Sequence, residues 1–336
     1  MALNLGQTLQ KGKYTIEKEL GRGRFGITYR AKRSNGERWA IKILNPDVLA
    51  VLSPAERDRL ETMFWQEAVK LSKCNGTPHI VQAEMPFKEG STACLPMEYM
   101  DGNSLADRAQ PQLLEATALE YIRQIGEALA IVHEKQLVHC DIRPANIFLR
   151  LQGNQAEAVL TGFGLAMGCE TELTRTRTKE RSDGFSPVEL CSRGQPVGPY
   201  TDVYSLAATL YELLTGEVPV SAIERGTIGK ELISPQVKQP EISGKTARAI
   251  LLGMALLPTK RPQSVKDWLK QLNSKPIKPE MYAREEVNWT KWGTVVAALA
   301  LFVAVLAMIP GWLALNKPEE KSSQPLAKPS ATIAPK

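Results

Sequence analysis

The chain of 336 residues is 43% hydrophobic and 23% charged, which suits two ordinary domains or one two-lobed domain of about 250 residues with an appendage. A net charge of +6, with no basic block interleaved with aromatics, leaves no footprint for nucleic acid. Five scattered cysteines (Cys74, Cys94, Cys140, Cys169 and Cys191) form no CxxC pair, which argues against a disulfide framework and a zinc site and for a reducing compartment.

The N-terminal stretch MALNLGQTLQKGKY has no apolar core, so no cleavable signal peptide is expected. Residues 14–44 then alternate as antiparallel strands: YTIEKELG, GITYRAKRS, a turn at Asn35-Gly36, and ERWAIKIL. Between the first two lies Gly21-Arg-Gly23-Arg-Phe-Gly26. Its place between strands, rather than between a strand and a helix, disfavours a dinucleotide fingerprint. Glycines there would let a hairpin lie close over phosphates with its N–H groups available, although from these residues alone a glycine-rich turn without a ligand is the better reading.

Alternation along WAIKIL sets Trp39, Ile41 and Ile43 on one face and Ala40, Lys42 and Leu44 on the other. Lys42 is thus a cation between apolar neighbours. A helix is predicted from Pro54, where Ser53-Pro54-Ala55-Glu56 combines an N-cap, a proline in the first turn and a capping-box glutamate. Leu60, Phe64, Glu67 and Leu71 share one face of it. Burying Glu67 unpaired would be costly, and Lys42 and Glu67 satisfy each other if the helix packs on the strand. From residue 95 the pattern reads as mostly helical, with Ile122, Ile125, Leu129 and Val132 on one face, and SLAATLYELLTG reads as a buried helix ended by Gly216.

Residues 294–315, TVVAALALFVAVLAMIPGWLAL, are 22 consecutive uncharged positions, long enough to cross a bilayer as a helix. Trp289, Trp292 and Trp312 lie near its ends, and Lys291 and Lys317 close it. Flanking Lys and Arg are similar on both sides, so they orient it weakly. The tail NKPEEKSSQPLAKPSATIAPK has the composition of a disordered segment.

The stretch Val138-His139-Cys140-Asp141-Ile142-Arg143-Pro144-Ala145-Asn146-Ile147-Phe148-Leu149 resembles the catalytic loop of the eukaryotic-like (Hanks-type) serine/threonine protein kinases. The earlier pieces fall into that family's order. Leu95-Pro-Met97-Glu98-Tyr99-Met100 is similar to the hinge, Gly184-Phe185-Ser186-Pro187-Val188-Glu189 to the end of the activation segment, Asp202 to the anchor of the central helix, and Arg261 of Lys260-Arg261-Pro262 to the partner of Glu189.

The resemblance implies an α+β, two-lobed protein kinase fold over residues 14–272, followed by a linker at 273–291, one transmembrane helix at 292–315 and a tail at 316–336. It implies ATP with magnesium, manganese being the alternative. Asp141 would receive the proton of a substrate hydroxyl, Arg143 stands in for the family's lysine near the γ-phosphate, and Asn146 would be both catalytic and a metal ligand. Lys42, steadied by Glu67, would hold the α- and β-phosphates. Leu20, Gly21, Gly23, Gly26, Thr28, Ala40, Met97, Glu98 and Met100 complete the implied nucleotide site, with Met97 as gatekeeper.

Two departures matter. Where the family has Asp-Phe-Gly, this chain has Gly162-Phe163-Gly164, so the carboxylate that holds the phosphate-bridging metal is missing. Thr161 and Glu170 are the nearby groups that could hold a metal-bound water in its place. Cys140 stands where regulated members carry an arginine that grips a phosphorylated loop, although Thr174, Thr176 and Thr178 remain in that loop. The expectation is a bacterial kinase homologue in the cell membrane, single-pass, with its kinase domain in the cytoplasm where ATP is. It either transfers phosphate to protein Ser or Thr with impaired or atypical catalysis, or is a pseudokinase that binds nucleotide or acts as a scaffold regulating a partner kinase. A protein substrate or partner kinase and a homodimer are the implied partners, with a signal arriving through the membrane helix, a partner or dimerisation. A small-molecule phosphotransferase is disfavoured by the SPVE end, Asp202 and Arg261, which build a platform for protein substrates.

Overall fold

A computed structural model describes residues 2–273, apart from 24, 153–154, 164–166, 169–183 and 192–194. The readings at 274–336, namely linker, membrane helix and tail, lie outside the described residues. No described helix is long and apolar enough to cross a membrane.

Four strands open the chain: β1 (Thr8–Leu9), β2 (Tyr14–Arg22), β3 (Gly26–Arg33) and β4 (Arg38–Leu44). Helices α1 (Pro46–Val51) and α2 (Pro54–Cys74) follow, then β5 (Phe87–Glu89) and β6 (Thr92–Glu98). The six strands form one sheet in the order β1-β2-β3-β4-β6-β5. The β3–β4 turn works as its Asn35-Gly36 pair predicts, with Gly36 at φ +92°.

The alternation in β4 sorts its side chains between two cores. Ile41 and Ile43 join Tyr14, Ile16, Ile27 and Tyr29 on the outer face, whereas Leu44 joins the large core beneath α2. Lys42 therefore faces α2. That helix starts as predicted: the Ser53 side chain accepts from the Glu56 N–H, and the Glu56 carboxylate accepts from the Ser53 N–H. Leu60, Phe64, Glu67 and Leu71 are all buried along its inner face. Burying each apolar member contributes about 1.5–3 kcal/mol.

The helix-rich part contains α3 (Glu115–Glu134), β7 (Leu137–Val138), the hairpin β8 (Ile147–Gln152) and β9 (Gln155–Leu160), β10 (Met167–Gly168), α4 (Val188–Cys191), α5 (Pro199–Thr215), α6 (Ala222–Thr227), α7 (Pro235–Lys238), α8 (Gly244–Gly253) and α9 (Val265–Asn273). The reading of helix from residue 95 is corrected here: 95–98 complete a sheet strand, and 147–160 form a hairpin. Ile122, Ile125, Leu129 and Val132 of α3 are buried on one face, as their spacing predicts.

α5 is buried along nearly its whole length and ends at Gly216, whose φ of +72° is the left-handed cap. Two of its buried hydroxyls are paired within the helix: Thr209 donates to the Ser205 carbonyl and Thr215 to that of Tyr211, each at 2.8 Å. Asp202 in its first turn is fully buried and accepts three hydrogen bonds of 2.8 Å, from the His139 N–H, the Cys140 N–H and the His133 imidazole Nε2. Cys140 needs that hold, because its φ of +65° lies in a region unfavourable for a residue with a β-carbon.

Two further interactions lock this part of the molecule. Arg261 makes a forked pair with Glu189, at 2.6 Å and 3.0 Å, both side chains being almost wholly buried. Its remaining donors reach the carbonyls of Ala255, Leu256 and Tyr200. Replacing Arg261 by methionine strands the Glu189 charge, and the expected cost is about 3–5 kcal/mol, read as a lowered urea midpoint.

The His139 ring, the second, is fully buried, with Nε2 against the Thr161 carbonyl at 2.9 Å and Nδ1 accepting from the Asp141 N–H at 3.2 Å. Burial holds its pKa below the usual 6.5, so the folded ring is neutral. Its contribution to stability is complete above the unfolded pKa and is withdrawn as pH falls below it, because the unfolded chain takes up a proton that the folded ring refuses. The thermal midpoint should therefore drop more steeply between about pH 7.5 and pH 5.5 in the unaltered protein than in His139→Phe.

Candidate nucleotide and phosphoryl-transfer site

The packing of α2 on β4 brings Lys42 and Glu67 together. The Lys42 Nζ lies 2.6 Å from Oε1 and 2.7 Å from Oε2 of Glu67. Glu67 is 4% exposed and the lysine side chain retains 26%, so the pair is not sealed from solvent.

The glycine-rich turn closes over this point. The Gly23 N–H donates to the Gly26 carbonyl at 2.8 Å, and the Asn45 side chain donates to the Gly23 carbonyl at 3.2 Å. A β-carbon at Gly26 would lie 3.2 Å from the Ile43 carbonyl oxygen and 3.4 Å from the Lys42 Cε, so glycine lets the strand approach the lysine stem. Gly21 pairs with Thr28 across the hairpin, and Thr28 pairs with Lys42 across the next ladder. Leu20, in the same strand, is 39% exposed.

Ala40 is buried and lies opposite Met97 in the β4–β6 ladder. Met97 and Met100 pack on the large core. The Glu98 N–H donates to the Gln82 carbonyl at 2.8 Å, while no backbone hydrogen bond of Met100 is present among the described residues. The Glu98 carboxylate is gripped by Arg150 at 2.8 Å, and Arg150 also holds Glu157 at 3.0 Å. That tie between the hinge and the β8–β9 hairpin escaped sequence reasoning, because its members are 52 residues apart and no periodicity joins them.

The catalytic loop is organised around Asn146. Its Nδ2 donates to the Asp141 main-chain carbonyl at 2.7 Å and to the Asp141 carboxylate at 2.9 Å. Its own carbonyl accepts from the Thr161 N–H at 2.8 Å and hydroxyl at 3.1 Å. Arg143 holds its guanidinium 5.4 Å from the centre of the Phe185 ring, a cation–π contact linking the loop to the GFSPVE segment. Phe163 is fully buried and meets the His139 ring edge-on, with centroids 4.7 Å apart.

Gly162 has φ +84°. An added β-carbon there would stand 2.8 Å from Asn146 Cγ, 2.9 Å from Nδ2 and 3.0 Å from Oδ1, closer than such contacts occur. The Asn146 amide thus fills the ground a side chain at 162 would need. The residues present do not fit the family's metal. Gly162 supplies no side-chain ligand atom, the Thr161 hydroxyl donates to the Asn146 carbonyl, and Glu170 lies outside the described residues. Among the described residues no group of three or more His, Cys, Asp or Glu is gathered to hold a cation. What is left is the neutral Asn146 carbonyl oxygen beside a carboxylate already accepting from the same amide, a poor set for a hard divalent ion.

Cys140 is buried against Val138 and Leu190, with Val197 packed on them. The position of the family's phosphate-gripping arginine is therefore an apolar contact in this chain. The threonines of the intervening loop lie outside the described residues.

Comparison with known proteins agrees with this geometry. The protein kinase domain profile matches residues 14–288. The chain is similar to the serine/threonine-protein kinase AtPK2/AtPK19 of Arabidopsis thaliana, 28% identical over 83% of this chain and 56% of that protein. It is similar to the serine/threonine-protein kinase PknK of Mycobacterium tuberculosis, 31% identical over 78% of this chain and 23% of that protein. The chain thus spans about half, or about a quarter, of the length of these relatives. Among solved structures, the Mycobacterium tuberculosis PknI kinase domain superposes with a TM-score of 0.61 at 23% identity, over 81% of this chain and 99% of that one. The PpkA-294 apo form gives 0.66 at 24%, over 81% and 99%. A small sheet lobe, a helical lobe, and a profile covering most of the sequence establish that the chain belongs to the protein kinase domain family.

Proposed function

We propose that this chain is a membrane-anchored serine/threonine protein kinase homologue that binds ATP and transfers its γ-phosphate to protein hydroxyls with impaired catalysis. The observation that carries the reading is the assembled Lys42–Glu67 pair at 2.6 Å, together with a catalytic loop whose Asp141 is already oriented by Asn146. In this reading Lys42 binds the α- and β-phosphates and the glycine-rich turn covers them with main-chain N–H groups. The Asp141 carboxylate orients the attacking hydroxyl and takes its proton. The ion pair of Arg261 with Glu189 supports the segment on which a protein substrate would lie.

Gly162 sets the rate in this reading. Losing a preorganised charge-stabilising group lowers turnover by a factor on the order of 10² or more. The same residue favours a second reading, a pseudokinase that binds nucleotide or serves as a scaffold for a partner kinase. The apolar span at 294–315 supports anchoring by a single helix, and the need for ATP places the kinase domain on the cytoplasmic side.

The test is label transfer from radioactive ATP by the full chain in detergent, with magnesium and separately with manganese, to itself and to a generic protein acceptor. Weak incorporation that disappears in Asp141→Asn is the expected result. A folded sample that incorporates nothing with either metal sinks the transferase reading and leaves the scaffold reading. Independently of turnover, Lys42→Met should weaken ATP binding by about tenfold or more, measured by calorimetry.

A further inference from the structure

The surroundings of Gly162 show more than a missing ligand. A residue with a β-carbon there meets three atoms of Asn146 at 2.8–3.0 Å and must also adopt φ +84°. Asn146 gives ground only by breaking its bonds of 2.7 Å and 2.9 Å to Asp141, which hold the catalytic loop in shape. The asparagine and the glycine are therefore one arrangement: the amide occupies the volume where the metal carboxylate would stand and spends its N–H group on Asp141.

From this we infer that nucleotide binding in this protein is independent of divalent cations, the phosphates being held by the Lys42 cation. The inference rests on the nucleotide-site reading above and adds to it that Asn146 is a positioning residue for Asp141 rather than a metal ligand. The physical balance is simple. A cation shared with phosphates needs anionic oxygen from the protein, and among the described residues the Asp141 carboxylate beside Asn146 already accepts from its amide. Lys42 is a full positive charge whose own partner, Glu67, approaches it from the side of α2, leaving the lysine partly exposed.

The experiment is calorimetric titration of the full chain in detergent with ATP, once with EDTA and once with magnesium. The expected result is two dissociation constants within about threefold of each other. Tightening by more than about tenfold with magnesium overturns the inference while leaving the nucleotide site intact. Binding in neither condition overturns both, and Lys42→Met would then change nothing.

Two variants examine the packing argument by a different route. Gly162→Asp alone should lower the thermal midpoint and acquire no magnesium dependence, because its side chain cannot enter while Asn146 is in place. Gly162→Asp with Asn146→Ala clears the volume, and there ATP affinity should gain a magnesium dependence of about tenfold or more. A single Gly162→Asp protein of unaltered stability whose ATP affinity rises with magnesium would contradict the inference.

Discussion

The buried carboxylate of Asp202 is the constraint on which the active half of this molecule depends. A fully buried acid is costly unless every lone pair finds a donor, and its three donors come from the end of α3 and from two successive amides of the catalytic loop. Those amides can both reach it only if Cys140 turns into the left-handed region. The expense of that backbone, on the order of 1–3 kcal/mol, is offset by the charge-assisted hydrogen bonds it makes. Once the loop is fixed there, His139 meets Thr161 and Phe163, and Asp141 meets Asn146. A helix packed deep in the large lobe thereby sets the geometry of residues at the cleft.

The small lobe contributes a charge and the large lobe a base, and the two are assembled by different means. Lys42 is placed by a sheet register and held by a helix glutamate, both of which follow from apolar packing on either side of β4. Asp141 is placed by polar bonds within a short loop. At Gly162 there is no side chain, and a β-carbon built there would crowd the Asn146 amide.

Much of this was legible in the sequence where physics repeats at short range. The capping box at Ser53, the face shared by Leu60, Phe64, Glu67 and Leu71, and the alternation of β4 each follow a local period, and together they were enough to pair Lys42 with Glu67. β6 was harder to see, because it is buried on both faces and carries Pro96. The strand tolerates that proline because pairing with β5 ends at Cys94, before the missing N–H is reached. The β8–β9 hairpin has a Gly153-Asn154 turn signal that the helical reading passed over, and the Asn45-Pro46 start of α1 was equally visible. No local pattern could reveal the Arg150–Glu98 tie or the volume taken by Asn146, since both depend on chain segments brought together only by the fold.

The apolar patch made by Cys140, Val138, Leu190 and Val197 has a consequence for how the catalytic loop communicates with the segment before α5. A link built from charge is strengthened or erased by adding or removing a phosphate and is screened by salt. Contact between nonpolar side chains responds to neither. Its strength follows the heat capacity of water around hydrocarbon, so the coupling is largely indifferent to ionic strength and loosens on cooling. Beside the cation–π contact of Arg143 with Phe185, the two segments thus share an apolar, thermometer-like contact.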